Sequence, residues 1–204
     1  MGEEQRRGDS AVRLFIALEL PDAARAVIDR RLEPYRSGFP AARWLRPETW
    51  HLTLLFLGAV DPEWVGELAQ VVEAAAALHG PYGMVTSRGG GRAGPADGVA
   101  WLEIAEGARQ TIELATWLEH AHPLTPEGEP PRGRRSGPRR TPSAHLTVAR
   151  RADAALVTAL RTRSLGGLDA AWTVERIALV RSHLGPGGST YETLHRAPLG
   201  APAV

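Results

Sequence analysis

The sequence contains no cysteine and no lysine, and these two absences narrow the chemistry that the chain can perform. Without cysteine, a thiolate metal site, a cysteine nucleophile and a disulfide framework are excluded. Without lysine, a lysine nucleophile and the adenylated lysine of an ATP-dependent ligase are excluded. All 24 basic side chains other than histidine are arginines, which we attribute to the composition of the coding DNA rather than to function.

The sequence also has little net charge and no long apolar run. The formal net charge is +1, so the field of the whole molecule does not indicate a polyanionic partner, and any attraction for phosphate must come from local clusters. Residues 1–10 are charged and lack the apolar core of a signal peptide, and no apolar run approaches membrane-spanning length. We therefore expect a cytoplasmic protein without membrane contact, and no protein partner is predicted.

The length and the hydrophobic patterns predict one domain of the α+β class. A chain of 204 residues can bury one substantial core, so we expect a single domain over residues 1–204, with loose tails at 1–10 and 198–204. Hairpin-like strand pairs without regular βαβ spacing favour α+β over a doubly wound parallel sheet. The predicted strands are Val12–Leu20, His51–Leu57, Tyr82–Ser87, Val99–Ile104, Ala144–Ala149, Trp172–Val180 and Thr190–Leu194, and the predicted helices run from Asp22 to Pro34, from Asp61 to about Leu78, from Ala108 to His120 and from Asp153 to about Arg163.

Two loops in this arrangement have unusual compositions. The glycine-rich stretch Gly89–Gly98 is predicted to be a flexible hairpin connection, because it lacks the Lys-Ser/Thr of a phosphate-binding P-loop. The stretch 123–142 has too little apolar content to pack, and it carries arginines between Arg132 and Arg140. These arginines could bind RNA phosphates, or they could belong to a solvated loop without such a role.

One short pattern occurs twice, as HLTL at residues 51–54 and as HLTV at residues 145–148. Side chains alternate along a strand, so each histidine shares a face with the threonine two positions later, about 6 to 7 Å away. If the two strands lie side by side, two imidazoles flank one small anionic group. The hydroxyls of Thr53 and Thr147 can then donate hydrogen bonds to that group.

Such a pair of histidines suits the opening of a cyclic phosphodiester. One group must remove a proton from the attacking water and another must protonate the departing ribose oxygen. His51 and His145 can do both near neutral pH, because one ring can be neutral while the other is charged. Without carboxylates on the same strands the pair does not complete a usual metal site, so no metal and no other cofactor is predicted.

Four stretches of the chain resemble a known family in the same order. They are RLFIALELP at residues 13–21, RW at 43–44 with HLTLLFLG at 51–58, HLTVAR at 145–150, and a closing pattern of Ser182, Leu184, Gly188 and Tyr191. Together they resemble the bacterial RNA 2',3'-cyclic phosphodiesterases, also called 2'-5' RNA ligases, of the two-histidine phosphoesterase superfamily.

The resemblance implies a fold and roles for the two histidines. The fold would be bilobal and pseudo-twofold symmetric, with two antiparallel sheets facing a central cleft and helices outside. His51 would be the general acid that protonates O3', and His145 the general base that activates water, so that the product carries a 2'-phosphate. The substrate would be RNA with a 2',3'-cyclic phosphate terminus, tRNA fragments being one possible class. In reverse, the same site could form a 2'-5' bond without ATP.

The resemblance also implies that Arg150 helps to hold the phosphate and that Phe56 contacts the base. Simple alternation opposes both, since it would place Arg150 on the face of Leu146 and Phe56 on the face of Leu52. Each strand must therefore end or bulge before these residues. Of the tryptophans, only Trp44 or Trp50 is near enough to the first motif to stack on a base.

Two alternative functions stay open at this point. The substrate could be a small cyclic nucleotide or an ADP-ribose cyclic phosphate, because the two motifs contact only the phosphate. The chain could also be a non-catalytic RNA-binding module, although the intact motifs argue against this.

Overall fold

A computed structural model describes residues 11–123, 143–185 and 188–200, and within these ranges the chain forms two antiparallel sheets and four α-helices. The strands are β1 (Val12–Glu19), β2 (Arg43–Trp44), β3 (His51–Val60), β4 (Tyr82–Arg92), β5 (Val99–Glu106), β6 (His145–Arg150), β7 (Ala171–Val174), β8 (Arg176–Gly185) and β9 (Gly188–Pro198). The α-helices are α1 (Asp22–Gly38), α2 (Val65–Leu78), α3 (Ala108–Ala121) and α4 (Ala154–Thr162), and short 3-10 turns cover Pro47–Thr49 and Pro62–Trp64.

The two sheets have related arrangements around their histidine strands. The first has the order β3-β1-β8-β9 and the second the order β2-β6-β5-β4-β7. In the first sheet β3 pairs with β1, and in the second β6 pairs with β5, with His51 opposite Glu19 and His145 opposite Glu103. The predicted α+β class with two antiparallel sheets is confirmed.

Alternation in β1 separates the core from the cleft. Leu14, Ile16 and Leu18 are buried in the main core, which also contains apolar side chains of α2 and α3. Phe15 lies on the other face of the strand, where it borders the cleft. The helices therefore cover the sheet faces that point away from the cleft. Among the helices of the described ranges, none has the length and apolarity that a membrane span needs.

Helix α1 continues beyond Pro34, where the sequence predicted its end. Pro34 lies inside the helix, which extends to Gly38. Tyr35 is fully buried, and its hydroxyl donates a hydrogen bond to the Gly166 carbonyl at 2.9 Å. Packing of this side chain offsets the loss of one backbone hydrogen bond at proline, so the helix does not stop there.

The predicted glycine loop is wrong at its start, because Gly89 and Gly91 belong to β4. They pair with Leu102 and Ala100 of β5, and α4 packs directly on them. A Cβ at Gly91 would lie 2.6 Å from Cγ2 of Val157. These glycines thus permit a close approach of helix and strand rather than a flexible turn.

The predicted strand over 172–180 is two strands in different sheets. β7 pairs with β4 and β8 pairs with β1, so the chain crosses between the sheets at Glu175. The loose tail predicted from residue 198 is wrong at Leu199, which is buried and whose N–H donates to the Glu175 carbonyl at 2.7 Å. The tail residues 1–10 and 201–204 and the arginines 132–140 lie outside the described residues.

Candidate active site

The two histidine motifs meet in one cleft of about 250 Å³ between the sheets. β3 contributes His51 and Thr53, and β6 contributes His145 and Thr147. The leucines between them, at 52 and 146, are buried as the alternation requires. The structure therefore brings together the four side chains on which the sequence-based hypothesis depends.

Both imidazoles make the same backbone hydrogen bond. Nδ1 of His51 lies 2.9 Å from the Thr49 carbonyl oxygen, and Nδ1 of His145 lies 2.8 Å from the Ser143 carbonyl oxygen. A carbonyl oxygen can only accept, so Nδ1 carries the proton in each ring. Nε2 is then the nitrogen left to exchange a proton with a bound substrate in both cases.

A β-bulge in each histidine strand turns Phe56 and Arg150 toward the cleft. In the pairing of β1 with β3, Leu54 has no partner residue on β1. In the pairing of β5 with β6, Val148 has no partner residue on β5. Each extra residue reverses the alternation beyond it. Phe56 and Arg150 consequently line the cleft with the histidines, and of the two predicted possibilities, a strand end or a bulge, both strands show the bulge.

His51 lies in a more enclosed environment than His145. Its ring is 4.7 Å from the Phe15 ring and 5.1 Å from the edge-on Tyr191 ring, measured between centroids. Burial lowers the pKa of His51 below its ordinary value, the bond to the Thr49 carbonyl opposes this, and the positive charge of Arg150 lowers it further. His51 is therefore neutral in the free protein near pH 7.

His145 contacts the second sheet in a corresponding way. Its ring centroid is 5.5 Å from that of Trp101 on β5, and the Ser143 hydroxyl lies 3.2 Å from its Nδ1. Its hydrogen bonds are exposed, whereas those of His51 are partly buried. Two similar motifs thus hold their imidazoles in unequal surroundings.

Two arginines, Arg13 and Arg150, and no carboxylate line the part of the cleft that the structure describes. Glu19, opposite His51 in the register, is instead bonded to Arg196 at 2.7 Å. Across the described ranges no three His, Asp or Glu side chains are close enough to hold a metal ion. The arrangement can bind a small anion and can transfer protons on both sides of it.

Comparison with known proteins identifies the family. The family model described as 2'-5' RNA ligase superfamily matches residues 20–186. The chain belongs to this superfamily. It is 31% identical to an RNA 2',3'-cyclic phosphodiesterase of Thermus thermophilus, over 92% of this chain and 90% of that protein.

Two further matches extend the comparison. A protein of Geobacillus stearothermophilus with the same name is 29% identical, and the alignment covers 92% of this chain but only 58% of that protein. The crystal structure of E. coli LigT complexed with 3'-AMP has a TM-score of 0.71 at 23% identity, with 94% of this chain and 99% of that chain covered. This last likeness supports the fold.

Sequence reasoning assigned no site role to several residues that line the cleft in this member of the 2'-5' RNA ligase superfamily, among them Arg13, Phe15 and Tyr191. Arg13 and Phe15 come from β1, and Tyr191 from β9 was noted only as part of the closing pattern. Arg13, Phe15 and Glu19 share one face of a strand predicted to be wholly buried, and the two charges on that face were the available signal.

The two tryptophans near the first motif, Trp44 and Trp50, differ in how deeply they are buried. Trp50 is 1% exposed, so it belongs to the core and cannot stack on a base. Trp44 is partly buried and its Nε1 donates to the Phe39 carbonyl at 3.1 Å. Phe56, which is 51% exposed within the cleft, is better placed for such a contact.

Proposed function

We propose that this protein hydrolyses the 2',3'-cyclic phosphate at the end of an RNA chain to a 2'-phosphate, with His51 and His145 as acid and base. The observation that carries the proposal is that two imidazoles, each with Nδ1 hydrogen-bonded to a backbone carbonyl, line the same cleft. No Asp or Glu is among the described residues that line this cleft. Family membership and the names of the two curated relatives support a phosphoesterase with this type of substrate.

In the proposed reaction water attacks phosphorus while the bond from phosphorus to O3' breaks. Nε2 of His145 takes a proton from the attacking water, and Nε2 of protonated His51 gives a proton to O3'. The low pKa of His51 makes its protonated form a stronger acid, and the negative charge of the bound phosphate favours that form. A 5'-hydroxyl attacking in place of water would form a 2'-5' bond without ATP.

Thr53, Thr147 and Arg150 would hold the reacting phosphate. The two hydroxyls donate to non-bridging oxygens, and a guanidinium can donate two parallel hydrogen bonds to the same group. Phe56 would contact the terminal base. In this scheme the histidines move protons, while the other residues orient the phosphate and stabilise its developing charge.

Histidine substitution tests the proposal directly. His51→Ala and His145→Ala are each expected to lower kcat/KM by roughly 100-fold or more on an oligonucleotide that ends in a 2',3'-cyclic phosphate, because each removes one proton-transfer group. The assay is run in EDTA, and the product isomer is identified by chromatography. A 2'-phosphate product is expected.

His120→Ala is the matched control, since that ring lies on α3 outside the cleft and its exposed hydrogen bond is to the Thr116 carbonyl of its own helix. It should retain wild-type activity, and circular dichroism should show the same fold for all three variants. A double His51→Ala, His145→Ala variant with undiminished turnover would refute the mechanism. A 3'-phosphate product would refute the proposed leaving group.

A further inference from the structure

Each histidine of the proposed mechanism has a glutamate directly across its strand pair. His51 of β3 lies opposite Glu19 of β1, and His145 of β6 lies opposite Glu103 of β5. Directly opposed residues project from the same face of a sheet, with Cβ atoms about 4.5–5.5 Å apart. A carboxylate is therefore within reach of each imidazole, although neither glutamate is among the described residues that line the cleft.

An arginine binds each of these glutamates. Nε and Nη2 of Arg196 donate to the two carboxylate oxygens of Glu19, at 2.7 Å and 2.9 Å. Nε of Arg88 donates to Glu103 at 2.8 Å. The same combination of a histidine, an opposed glutamate and an arginine that binds the glutamate thus occurs in both sheets.

The pair in the first sheet is the more firmly held of the two. The side chain of Glu19 is 22% exposed and that of Glu103 is 39% exposed. The Thr193 hydroxyl also donates a hydrogen bond to Glu19 at 2.9 Å. Burial by itself would raise the pKa of Glu19, but hydrogen bonds from Arg196 and Thr193 and nearby arginine charges hold that pKa below its ordinary value. Glu19 is therefore ionised near pH 7 and paired with Arg196.

A pocket of about 260 Å³ joins His51 to this glutamate–arginine pair. The charged side chains that line the pocket with His51 are Glu19, Arg25, Glu48 and Arg196. On the cleft side, the titratable side chains that line the site with His51 are Arg13, His145, Arg150 and Tyr191. Glu48 is exposed to solvent, which screens its charge, whereas Glu19 is largely shielded from water.

A carboxylate freed in this pocket would act on His51 and on a bound anion. An opposite charge within about 4–6 Å favours the protonated imidazole and raises its pKa. The direction in the structure is the reverse, because burial lowers the pKa of His51 and the charge of Arg150 lowers it further, against the effect of the Thr49 carbonyl. A free carboxylate would also repel the phosphate that His51 must approach.

We propose that Arg196 is a positioning residue for His51, because it neutralises Glu19 and holds that carboxylate away from the imidazole. Nε2 of His51 then stays free to exchange a proton with the substrate, and the phosphate meets no unpaired negative charge from the first sheet. Arg88 and Glu103 repeat the arrangement in the second sheet at a more exposed position. This inference rests on the proposed function, and it adds a residue that acts through its neighbours rather than on the reacting atoms.

Arg196→Met tests the proposal through the titration of His51, which is followed by NMR. The freed carboxylate is expected to raise the pKa of that ring, and the limb of the pH profile of kcat/KM that belongs to His51 moves to higher pH with it. Inorganic phosphate serves as the probe for anion binding. Its affinity should fall by roughly 5-fold, the order expected for one unpaired charge near an anion in a partly solvated site.

Glu19→Gln separates this role from a merely structural one. Added to Arg196→Met, it removes the freed charge, so the His51 titration and the phosphate affinity should both return to those of the wild type. Alone, it leaves Arg196 as an unpaired positive charge and should lower the pKa of His51. This second variant also tests the proposal if Arg196→Met does not fold.

Arg109→Met is the matched control, since the Arg109–Glu113 pair has the same separation of 2.7 Å but lies on α3, away from the pocket. It should titrate and bind phosphate as the wild type does. A wild-type His51 pKa in both Arg196→Met and Glu19→Gln would overturn the inference. An effect of Arg196→Met that persists after Glu19→Gln is added would overturn it as well.

These measurements need no turnover, so they separate this inference from the proposed reaction. A raised His51 pKa in Arg196→Met supports the positioning role even if the wild type does not hydrolyse the cyclic phosphate, a result that would refute the proposed function alone. Hydrolysis by the wild type, with the same His51 titration in every variant, would refute the positioning role alone.

Discussion

His51 and His145 share one backbone arrangement but differ in their neighbours. In each case Nδ1 is hydrogen-bonded to the backbone carbonyl two residues earlier, so Nε2 is the nitrogen that faces a bound substrate in the proposed mechanism. Phe15 and Tyr191 enclose His51, whereas the hydrogen bonds of His145 are exposed. In the proposed mechanism, these different surroundings would give two chemically identical groups the separate roles of acid and base.

Arg150 provides a way to assign those roles by experiment. Its positive charge lowers the pKa of His51, so Arg150→Met is expected to raise that pKa. If His51 is the acid, the alkaline limb of the pH profile of kcat/KM moves to higher pH, because the protonated form persists further. If His51 is the base, the acid limb moves to higher pH instead. NMR titration of the His51 ring measures the pKa shift directly.

Arg92→Met is a suitable control for this titration, since Arg92, the last residue of β4, pairs with Asp97 at the exposed surface and does not line the cleft. It should leave the titration of His51 where it is in the wild type. An unchanged His51 pKa in Arg150→Met would show that burial alone causes the shift. The rate of Arg150→Met should also fall, because the phosphate loses a guanidinium partner.

At the scale of secondary structure, the bulged strand is the repeated unit of the site. β3 and β6 each present a histidine, a threonine and then a third side chain to the cleft, because one bulge lies between the threonine and that third side chain. The third side chain is Phe56 in one strand and Arg150 in the other. The same backbone irregularity thus places an aromatic ring from one sheet and a cation from the other in the cleft.

The glycines of β4 make a testable contribution to the second sheet. Gly89→Ala is expected to lower the free energy of unfolding by about 1–3 kcal/mol, because its Cβ would collide with Leu160 on α4. Urea unfolding monitored by circular dichroism measures the change. Gly83→Ala in the same strand is the control, since a Cβ there meets no atom within 4 Å. Equal stability of the two variants would contradict this account of the glycine run.

At the scale of the whole molecule, the two lobes share one hydrophobic core. Ile16 of β1 in the first sheet and Leu102 of β5 in the second belong to the same cluster of buried residues. Leu68 of α2 and Leu114 of α3 are members of that cluster too, so the helices and both sheets form one continuous apolar interior. The crossing from β7 to β8 also joins the sheets covalently within a few residues. We therefore expect the lobes to unfold together rather than as separate domains.

Leu102→Ala tests this cooperativity. Leu102 is fully buried in the second sheet, so its truncation should cost about 2–5 kcal/mol. Both tryptophan fluorescence and far-ultraviolet circular dichroism should then show one transition, at the same lower urea concentration. Two separate transitions, with only one displaced by the substitution, would show that the lobes are independent.

Most elements could be predicted because their signals are local. The alternation in β3 and β6, and the Asp153 side chain that accepts a hydrogen bond from the Leu156 N–H, depend on neighbours in the chain. The errors occurred where distant packing overrode a local signal. Burial of Tyr35 carried α1 past a proline, and the approach of α4 turned a glycine run into strand.

The sequence by itself determined the chemistry available to this protein, since the paired histidines, the threonines beside them and the absence of cysteine and lysine are properties of composition and spacing. Tertiary structure alone decided which groups share a space. Arg13, Tyr191 and Arg150 come from different strands, and their proximity to His51 depends on how two sheets pair and face each other. Strand pairing joins residues that are far apart in the chain, so no local pattern encodes it.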